Sequence, residues 1–231
     1  MLDLQQEGEE MERVAAVSQS VLFKNISMDE LPYLLTCLKS RSTTFPKDYT
    51  VIDEGDLTDE MGVVTSGSVN IVRHDFWGNR TVVTNIGVGG TFAESVAFTQ
   101  VPSEVAAVTC ESTTILFLDI NKVINTCSTG CNYHQKLVEN LVRLLSQKNL
   151  ELMKKINHIT KRSTREKLLS YLSEEAKKNP SEKTFTIPFD RQQLADYLCV
   201  ERSAMSSELS KMRSEGILEY HRSSFTLLSE D

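Results

Sequence analysis

The sequence of 231 residues predicts an α+β fold made of three parts in order. They are an N-terminal antiparallel β-barrel of the jelly-roll kind, a long helix, and a C-terminal winged helix-turn-helix. Three patterns predict this order. Short β-type runs recur across residues 42–119, an uninterrupted helical pattern covers residues 132–159, and two helices with a strand pair follow within residues 190–228. The change from a strand-like to a helix-like period separates the parts.

The barrel is predicted from short runs rich in Val, Ile, Thr and Phe that alternate with turn residues. Glu54-Gly55-Asp56, Ser66-Gly67 and Trp77-Gly78-Asn79 are three of these turns. Strands spaced about ten residues apart are typical of antiparallel sandwiches and barrels. A capping box at Ser27 and Glu30 predicts a helix before the first strand. We therefore expect residues 1–130 to form one domain, with helices preceding the barrel.

The long helix carries an apolar repeat of seven residues. Its apolar positions are Val138, Leu141, Val142, Leu145, Leu152, Ile156 and Ile159. Such a repeat over about three heptads indicates a dimer seam more often than a core face, and the residues alone leave both open. We expect residues 131–160 to form a dimerisation helix. Its predicted interface residues are Val138, Leu141, Leu145, Leu152 and Ile156. Lys148 or Asn149 interrupts the repeat and would fix its register.

Residues 190–212 predict two helices joined by a tight turn. Asp190 and Gln193 can form a capping box for the first helix. The second helix has a single buried stripe, formed by Met205, Leu209 and Met212. The alternative is an ordinary helical hairpin whose polar face is simply solvated.

The opposite stripe of the second helix carries hydroxyl groups and one guanidinium group. Its members are Arg202, Ser203, Ser206, Ser207 and Ser210. Serine and arginine can bond phosphate oxygens or base edges in a DNA major groove, so these residues are the predicted DNA contacts. Glu201, just before the helix, is a poor cap residue, although its charge suits the helix dipole.

A wing is predicted after this helix. Gly216 is placed to end the helix, and residues 217–220 and 225–228 form two short strands around a polar turn. Another short strand, at residues 184–187, precedes the helix pair. Residues 161–231 are therefore predicted to form a winged helix-turn-helix DNA-binding domain. Arg191 and Arg222 are further candidate DNA contacts.

The charge of the chain is unevenly distributed. The net charge is −7, with 13 basic and 20 acidic residues in residues 1–160 and 12 of each in residues 161–231. A neutral C-terminal part lacks the basic footprint of many DNA-binding domains, so non-specific DNA affinity should be modest. The polar face of the second helix must therefore matter more than the total charge.

No run of 18 apolar residues and no secretory signal is found in the sequence. We therefore expect a cytoplasmic protein without membrane contact. The five cysteines lack a disulfide-like spacing and are expected to be thiols. Cys127 and Cys131 have a spacing that could suit a metal, but thiols are the favoured interpretation, and no metal site is predicted.

The order of a glycine-punctuated barrel, a dimer helix and a winged helix-turn-helix resembles the Crp/Fnr family of bacterial transcription regulators. The matching motifs are Glu54-Gly55-Asp56, Ser66-Gly67-Ser68-Val69, Gly90-Thr91-Phe92-Ala93-Glu94-Ser95, and Gln193-Leu194-Ala195-Asp196-Tyr197-Leu198 with Arg202. The resemblance implies a homodimer that binds double-stranded DNA with two-fold half-sites under the control of a small-molecule effector. RNA polymerase is a further candidate partner.

Some departures from the family pattern concern the effector. In cyclic-AMP-binding members, residues 90–95 would form a phosphate cassette, with a Gly where Ala93 stands and Glu94 bonding the ribose. The Arg that neutralises the cyclic phosphate would fall at or near Glu104, whose charge repels a phosphate. Cyclic AMP is therefore not expected. Glu94 is then either an effector contact or a structural acid. No cysteine precedes Cys37, so an iron–sulfur cluster is not expected either.

The identity of the effector and of any cofactor stays open at this point. A small, mostly apolar or carboxylate-bearing molecule is expected, or control by redox state. Its predicted contacts are Phe92, Ala93, Glu94, Ser95, Val105, Asn149 and Leu152. Signatures of hydrolases, kinases and dinucleotide-binding enzymes are absent from the sequence, so no enzyme is predicted. The alternative function is a ligand-binding regulatory module that acts on a protein partner.

Overall fold

The computed structural model describes residues 15–78, 80–125, 132–178 and 184–228. The chain divides into two compact units, Met1–Leu145 and Ser146–Asp231. The predicted domain limits at residues 130 and 160 stay predictions, and Cys127 and Cys131 lie outside the described residues. None of the described helices combines the length and the hydropathy that a membrane span requires.

The first unit contains eight strands among its described residues, in two four-stranded sheets. They are β1 (Arg41–Phe45), β2 (Thr50–Ile52), β3 (Glu60–Ser66), β4 (Val69–His74), β5 (Arg80–Ile86), β6 (Thr91–Phe92), β7 (Ala106–Thr109) and β8 (Thr113–Asp119). The strand orders are β1-β8-β3-β6 and β2-β7-β4-β5, and every pairing is antiparallel. The predicted jelly-roll-like barrel is confirmed.

Alternation along β3 and β8 gives this unit two apolar cores. Val64, Ile115 and Phe117 lie in a cluster with residues of both sheets. Their neighbours Met61, Val63, Leu116 and Leu118 belong to a second cluster with residues of the helices. Those helices are a 3-10 helix (Val21–Phe23), α1 (Leu31–Cys37), α2 (Glu94–Thr99), α3 (Ile120–Ile124) and α4 (Asn132–Ile159). Sheet β1-β8-β3-β6 is therefore covered on both faces, because side chains alternate along each strand.

Helix α4 has the predicted extent and begins by packing on the helices of the first unit. Its Asn140 side chain is buried, and Nδ2 donates to the carbonyl oxygens of Leu22 (3.1 Å) and Lys24 (2.7 Å). Leu141 is only 4 % exposed and belongs to the core cluster. The prediction that Leu141 lies in a dimer seam is therefore wrong. Its neighbour Val142 is 58 % exposed and lies on the other side of the helix.

The described residues of the second unit form the predicted winged helix-turn-helix together with the end of α4. Its elements are α5 (Thr164–Lys178), β9 (Thr184–Thr186), α6 (Arg191–Tyr197), α7 (Arg202–Ser214), β10 (Leu218–His221) and β11 (Ser224–Leu227). The sheet order is β10-β11-β9. The predicted capping box of α6 is present, since Gln193 N–H donates to Asp190 (2.8 Å) and the Gln193 side chain accepts from Asp190 N–H (2.9 Å).

Candidate nucleic-acid interface

Helix α7 has the two faces that its sequence predicts. Met205, Leu209 and Met212 are fully buried in the apolar cluster of the second unit. The residues on the opposite side are exposed, namely Arg202, Ser203, Ser206, Ser207 and Ser210. A polar helix face held on a buried apolar stripe is the arrangement that helix-turn-helix proteins insert into a major groove.

The N-terminus of α7 is capped by Glu201, contrary to the expectation that this residue caps poorly. Its carboxylate accepts hydrogen bonds from the backbone N–H groups of Ser203 (3.1 Å) and Ala204 (2.8 Å), and from the Ser203 hydroxyl. The Ser203 hydroxyl and these two N–H groups lower the pKa of Glu201. The negative charge of Glu201 therefore lies at the start of the helix, and the Ser203 hydroxyl is engaged in a hydrogen bond with it.

The remaining side chains of the exposed face differ in their partners. The Ser210 hydroxyl donates to the backbone oxygen of Ser206 (3.0 Å) and lies 3.4 Å from the Tyr220 hydroxyl. Within the described residues, no side-chain hydrogen bond is found for Arg202, Ser206 or Ser207. These three side chains are the ones that can turn to a ligand without losing a contact.

Two acidic residues, Glu208 in α7 and Glu215 at its C-terminal end, form ion pairs with helix α5. Arg165 pairs with Glu208 at 3.5 Å and with Glu215 at a shorter distance. The hydrogen bond to Glu215 raises the pKa of Arg165 and lowers that of Glu215. The next residue, Leu209, is fully buried in the core. The pairing with Arg165 lessens the negative charge near the exposed face of α7.

Two other predicted DNA contacts lie at the wing. The Arg191 guanidinium is half-buried over the rings of Tyr220 (4.8 Å to the centroid) and Phe225 (5.1 Å), and burial lowers its pKa. It therefore fastens the start of α6 to the wing. Arg222 is exposed in the two-residue turn between β10 and β11, with φ at +53°. Its side chain stands at the tip of the wing.

An exposed apolar stripe runs along α4. Its exposed members are Val142, Leu145, Leu152 and Ile156, with Val138 and Ile159 half-buried at its ends. The spacings alternate between three and four residues, and the exposed Asn149 occupies the position between Leu145 and Leu152. This is the a/d pattern of a two-stranded coiled coil with an Asn at one a position. Val142 is not among the predicted interface residues, although it lies three residues before Leu145 in this exposed stripe.

The predicted effector contacts do not share one environment. Phe92 and Glu94 are buried, Ala93 and Val105 are half-buried, and Ser95 is exposed. Phe92 belongs to the barrel core, where a Cβ atom on Gly62 would come within 2.4 Å of its ring. The other two predicted contacts, Asn149 and Leu152, are exposed on α4 and belong to the second unit.

Comparison with known families agrees with this architecture. The profile of the cyclic nucleotide-binding domain matches residues 42–129, and that of the Crp-like helix-turn-helix domain matches residues 166–231. The chain belongs to the Crp/Fnr family of transcription regulators. Members of this family are DNA-binding regulators, and neither profile describes an enzyme. A search of curated protein sequences finds no match.

Several solved structures resemble this member of the Crp/Fnr family at low sequence identity. CprK in complex with OCPA is 13 % identical, with a TM-score of 0.67, and the match covers 87 % of this chain and 92 % of CprK. The c-di-GMP-responsive regulator CLP of Xanthomonas campestris is 18 % identical (TM-score 0.57; 84 % and 96 % covered). A cyclic nucleotide-binding domain from Methylobacillus flagellatus is 20 % identical (TM-score 0.55; 66 % and 84 % covered). At these identities the likeness shows the fold alone.

Three barrel residues of this family member bear on the expectation that its effector is not cyclic AMP. Glu104 stands exposed where the family resemblance puts the phosphate-binding Arg, and Val105 follows where it puts a hydroxyl group. Ala93 takes the glycine position and adopts a left-handed conformation with φ at +63°. A carboxylate at residue 104 repels a phosphate, and this position lacks the positive charge that would neutralise one. The expectation that cyclic AMP is not the effector therefore stays.

Proposed function

We propose that this Crp/Fnr regulator is a homodimer that binds double-stranded DNA at two-fold half-sites through α7. The observation that carries the proposal is the exposed face of α7 on its buried stripe of Met205, Leu209 and Met212. Two such helices in a symmetric dimer would enter successive major grooves about 34 Å apart. The protein would act in the cytoplasm, where its DNA is, with RNA polymerase as a candidate partner.

The residues of the interface are proposed to have different roles. Arg202, Ser206 and Ser207 contact base edges or phosphates, because their side chains have no competing hydrogen bond among the described residues. Ser203 and Ser210 contribute less, since their hydroxyl groups are engaged. Arg222 reaches a phosphate from the wing. Arg191 positions the wing through its stacking and contacts DNA only at the edge of the interface.

The dimer is proposed to form along the exposed stripe of α4. Apolar side chains at alternating spacings of three and four residues bury one another when two helices wrap around each other. Val138, Val142, Leu145, Leu152 and Ile156 form this seam, with Leu141 excluded because it packs in the cluster that joins the helices of the first unit to β3 and β8. Asn149 fixes the register of the two helices.

The effector is proposed to be a small molecule other than cyclic AMP. Control by redox state is the alternative. Its contacts in the barrel are Phe92, Ala93, Glu94, Ser95 and Val105. A mostly apolar molecule fits this segment best, because Phe92 and Val105 are apolar and the exposed Glu104 repels a carboxylate as it repels a phosphate. Such a ligand controls DNA binding only if it binds one dimer geometry more tightly than another. Isothermal titration calorimetry should detect no binding of cyclic AMP.

DNA recognition is tested by selecting binding sites from random duplex DNA and measuring affinity by fluorescence polarisation. The selected sites should share a two-fold motif. Arg202→Ala should weaken binding about 10- to 100-fold, as expected for the loss of about 1–3 kcal/mol at a base contact. Arg73→Ala removes the same charge from an exposed barrel strand and should leave the affinity unchanged. Recovery of no two-fold motif, or full affinity in Arg202→Ala, would contradict the proposal.

The dimer is tested by analytical ultracentrifugation of two matched variants. Leu152 is 60 % exposed within the stripe, whereas Leu150 is 61 % exposed outside it. Leu152→Asp should give monomers, because an unpaired carboxylate would be buried in the seam. Leu150→Asp should remain a dimer. Equal behaviour of the two variants would show that the stripe is not the interface.

A further inference from the structure

A cavity in the first unit lies away from the predicted effector segment. It has a volume of about 210 Å³ and is lined by side chains of β1, β2, β3, β8 and the turn at residues 53–58. The predicted effector contacts of this unit lie instead on β6, α2 and the loop before β7. Ligand pockets for drug-sized molecules are larger, at about 300–1,000 Å³. The volume therefore suits a small ligand or the head group of a larger one.

Aromatic rings form one wall of this cavity. Phe45 and Tyr49 stack with their centroids 4.9 Å apart, and Phe117 meets Phe45 edge-on at 6.1 Å. All three rings line the cavity and supply it with aromatic surface. The negative face of an aromatic ring attracts a cation that lies within about 6 Å.

Acidic groups also line the cavity. Residues 53–60 contain five acids within eight positions, and Asp56 and Glu60 line the cavity. Glu60 is paired with Arg41 (Nε–Oε1 3.1 Å, Nη2–Oε2 2.5 Å). The Asp56 carboxylate accepts from Asp53 N–H (2.8 Å) and takes part in no ion pair within the described part of the chain. The cavity therefore combines aromatic faces with negative charge.

The protein already places one cation in this setting. The Arg41 guanidinium lies 4.0 Å from the centre of the Phe117 ring while it binds Glu60. A cation held between an aromatic face and a carboxylate is thus stable at the rim of the cavity. The stacked Phe45–Tyr49 pair and Asp56 offer the same two groups to a cation from outside.

We propose that this cavity binds a small organic ammonium ion, with its charged head group against Phe45 and Tyr49 and its charge balanced by Asp56. Aromatic cages recognise quaternary ammonium groups by the same attraction. An anion is disfavoured by Asp56, because Arg41 already offsets the charge of Glu60, and an uncharged isostere gains no charge attraction from Asp56. Tyr49 is nearly half exposed, so the head group can enter past its ring.

The test is a calorimetric titration of the full chain with choline and with its uncharged isostere, in which carbon replaces the quaternary nitrogen. Choline should bind at least tenfold more tightly than the isostere. Tyr49→Ala and Asp56→Asn should each weaken choline binding about tenfold. Tyr33→Ala removes a tyrosine that is 72 % exposed on α1 and should have no effect.

Three results would overturn the proposal. They are equal affinity for choline and its isostere, no binding of choline, and choline binding that Tyr49→Ala and Asp56→Asn leave unchanged. Asp56→Asn keeps the size of an exposed side chain and its hydrogen bond to Asp53, so this variant should remain folded. DNA binding plays no part in the titration, so its outcome is independent of the function proposed above.

Discussion

Helices α4 and α7 carry the two surfaces on which the proposed function depends, and they differ in the number of their apolar stripes. Helix α7 has one stripe, and all of it is buried. Helix α4 has two. Leu137, Leu141 and Leu144 are buried on one side, and the stripe that contains Val142 and Leu152 is exposed on the other. A helix with one stripe has a single way to pack, so its polar face is known from the sequence. A helix with two stripes leaves the choice to the rest of the fold.

Substitutions at Leu141 and Val142, one in each stripe of α4, should have the largest effects on stability and on dimer formation. Leu141→Ala should lower the free energy of unfolding by about 2–5 kcal/mol, because it leaves a cavity in the core of the first unit. Val142→Ala should leave that core intact and weaken the dimer. Urea denaturation and sedimentation equilibrium measure the two effects separately. The comparison of the two stripes fails if Leu141→Ala weakens the dimer while leaving the stability of the fold unchanged.

A substitution at Asn149 tests the exposed stripe by strengthening the dimer rather than weakening it. Replacing it with Val should tighten the dimer by about 1–3 kcal/mol, because a β-branched apolar side chain would be buried at an a position. Gln147→Val introduces the same side chain at an exposed position outside the stripe and should leave the dimer constant unchanged. Sedimentation equilibrium gives both constants. An unchanged dimer constant in Asn149→Val would place this residue outside the seam.

The end of α4 is joined to α5 and α6 through a histidine whose titration affects stability. His158 is 2 % exposed, its Nδ1 lies 2.8 Å from the Ser170 hydroxyl, and its Nε2 lies 3.3 Å from the Glu174 carboxylate. The ring also packs against the rings of Tyr171 and Tyr197. Burial lowers the pKa of His158, and this effect outweighs the opposing attraction of Glu174 and Glu175.

The unfolded chain therefore binds a proton at His158 more readily than the folded chain. The stabilisation is fully present above the ordinary pKa of 6.5 and is lost as the pH falls from there to the lowered value. Each unit by which the pKa is lowered corresponds to about 1.4 kcal/mol. The urea concentration at the unfolding midpoint should decrease as the pH is lowered from 7.5 to 5.5. His158→Gln should make this decrease smaller. His221→Gln, at an exposed residue of the wing, should retain it. A midpoint that rises on acidification in this window would contradict the account.

Ala93 gives the smallest expected effect and concerns the barrel rather than either helix. The left-handed backbone conformation of Ala93 destabilises the folded chain by about 1–2 kcal/mol, and glycine would relieve this strain. Glycine also raises the entropy of the unfolded chain, which lowers the free energy of unfolding by about 0.4–1 kcal/mol. Ala93→Gly should therefore raise the free energy of unfolding by about 0.5–1 kcal/mol. Ala97→Gly, in helix α2, should lower it. Thermal denaturation of both variants decides the sign, and a loss of stability in Ala93→Gly would contradict the prediction.

The sequence predicted the strands, the long helix and the winged helix-turn-helix because alternation, heptads and capping residues are local patterns. It placed Leu141 in the wrong stripe because the choice depends on the core that α4 meets. It underrated the cap at Glu201, whose longer side chain still reaches the N–H groups of Ser203 and Ala204. It could not predict the aromatic cavity, because Phe117 is distant in the chain from Phe45 and Tyr49 and meets Phe45 only in the folded barrel.

The central claim is that two copies of α7, held by the α4 seam, contact DNA together. Hydroxyl-radical footprinting of the full chain on a selected site tests it most directly. We expect two protected patches related by a two-fold axis, with centres about 10 base pairs or one helical turn apart. Arg202→Ala should remove protection from both patches at once. A single protected patch, or protection that follows no two-fold symmetry, would contradict the account.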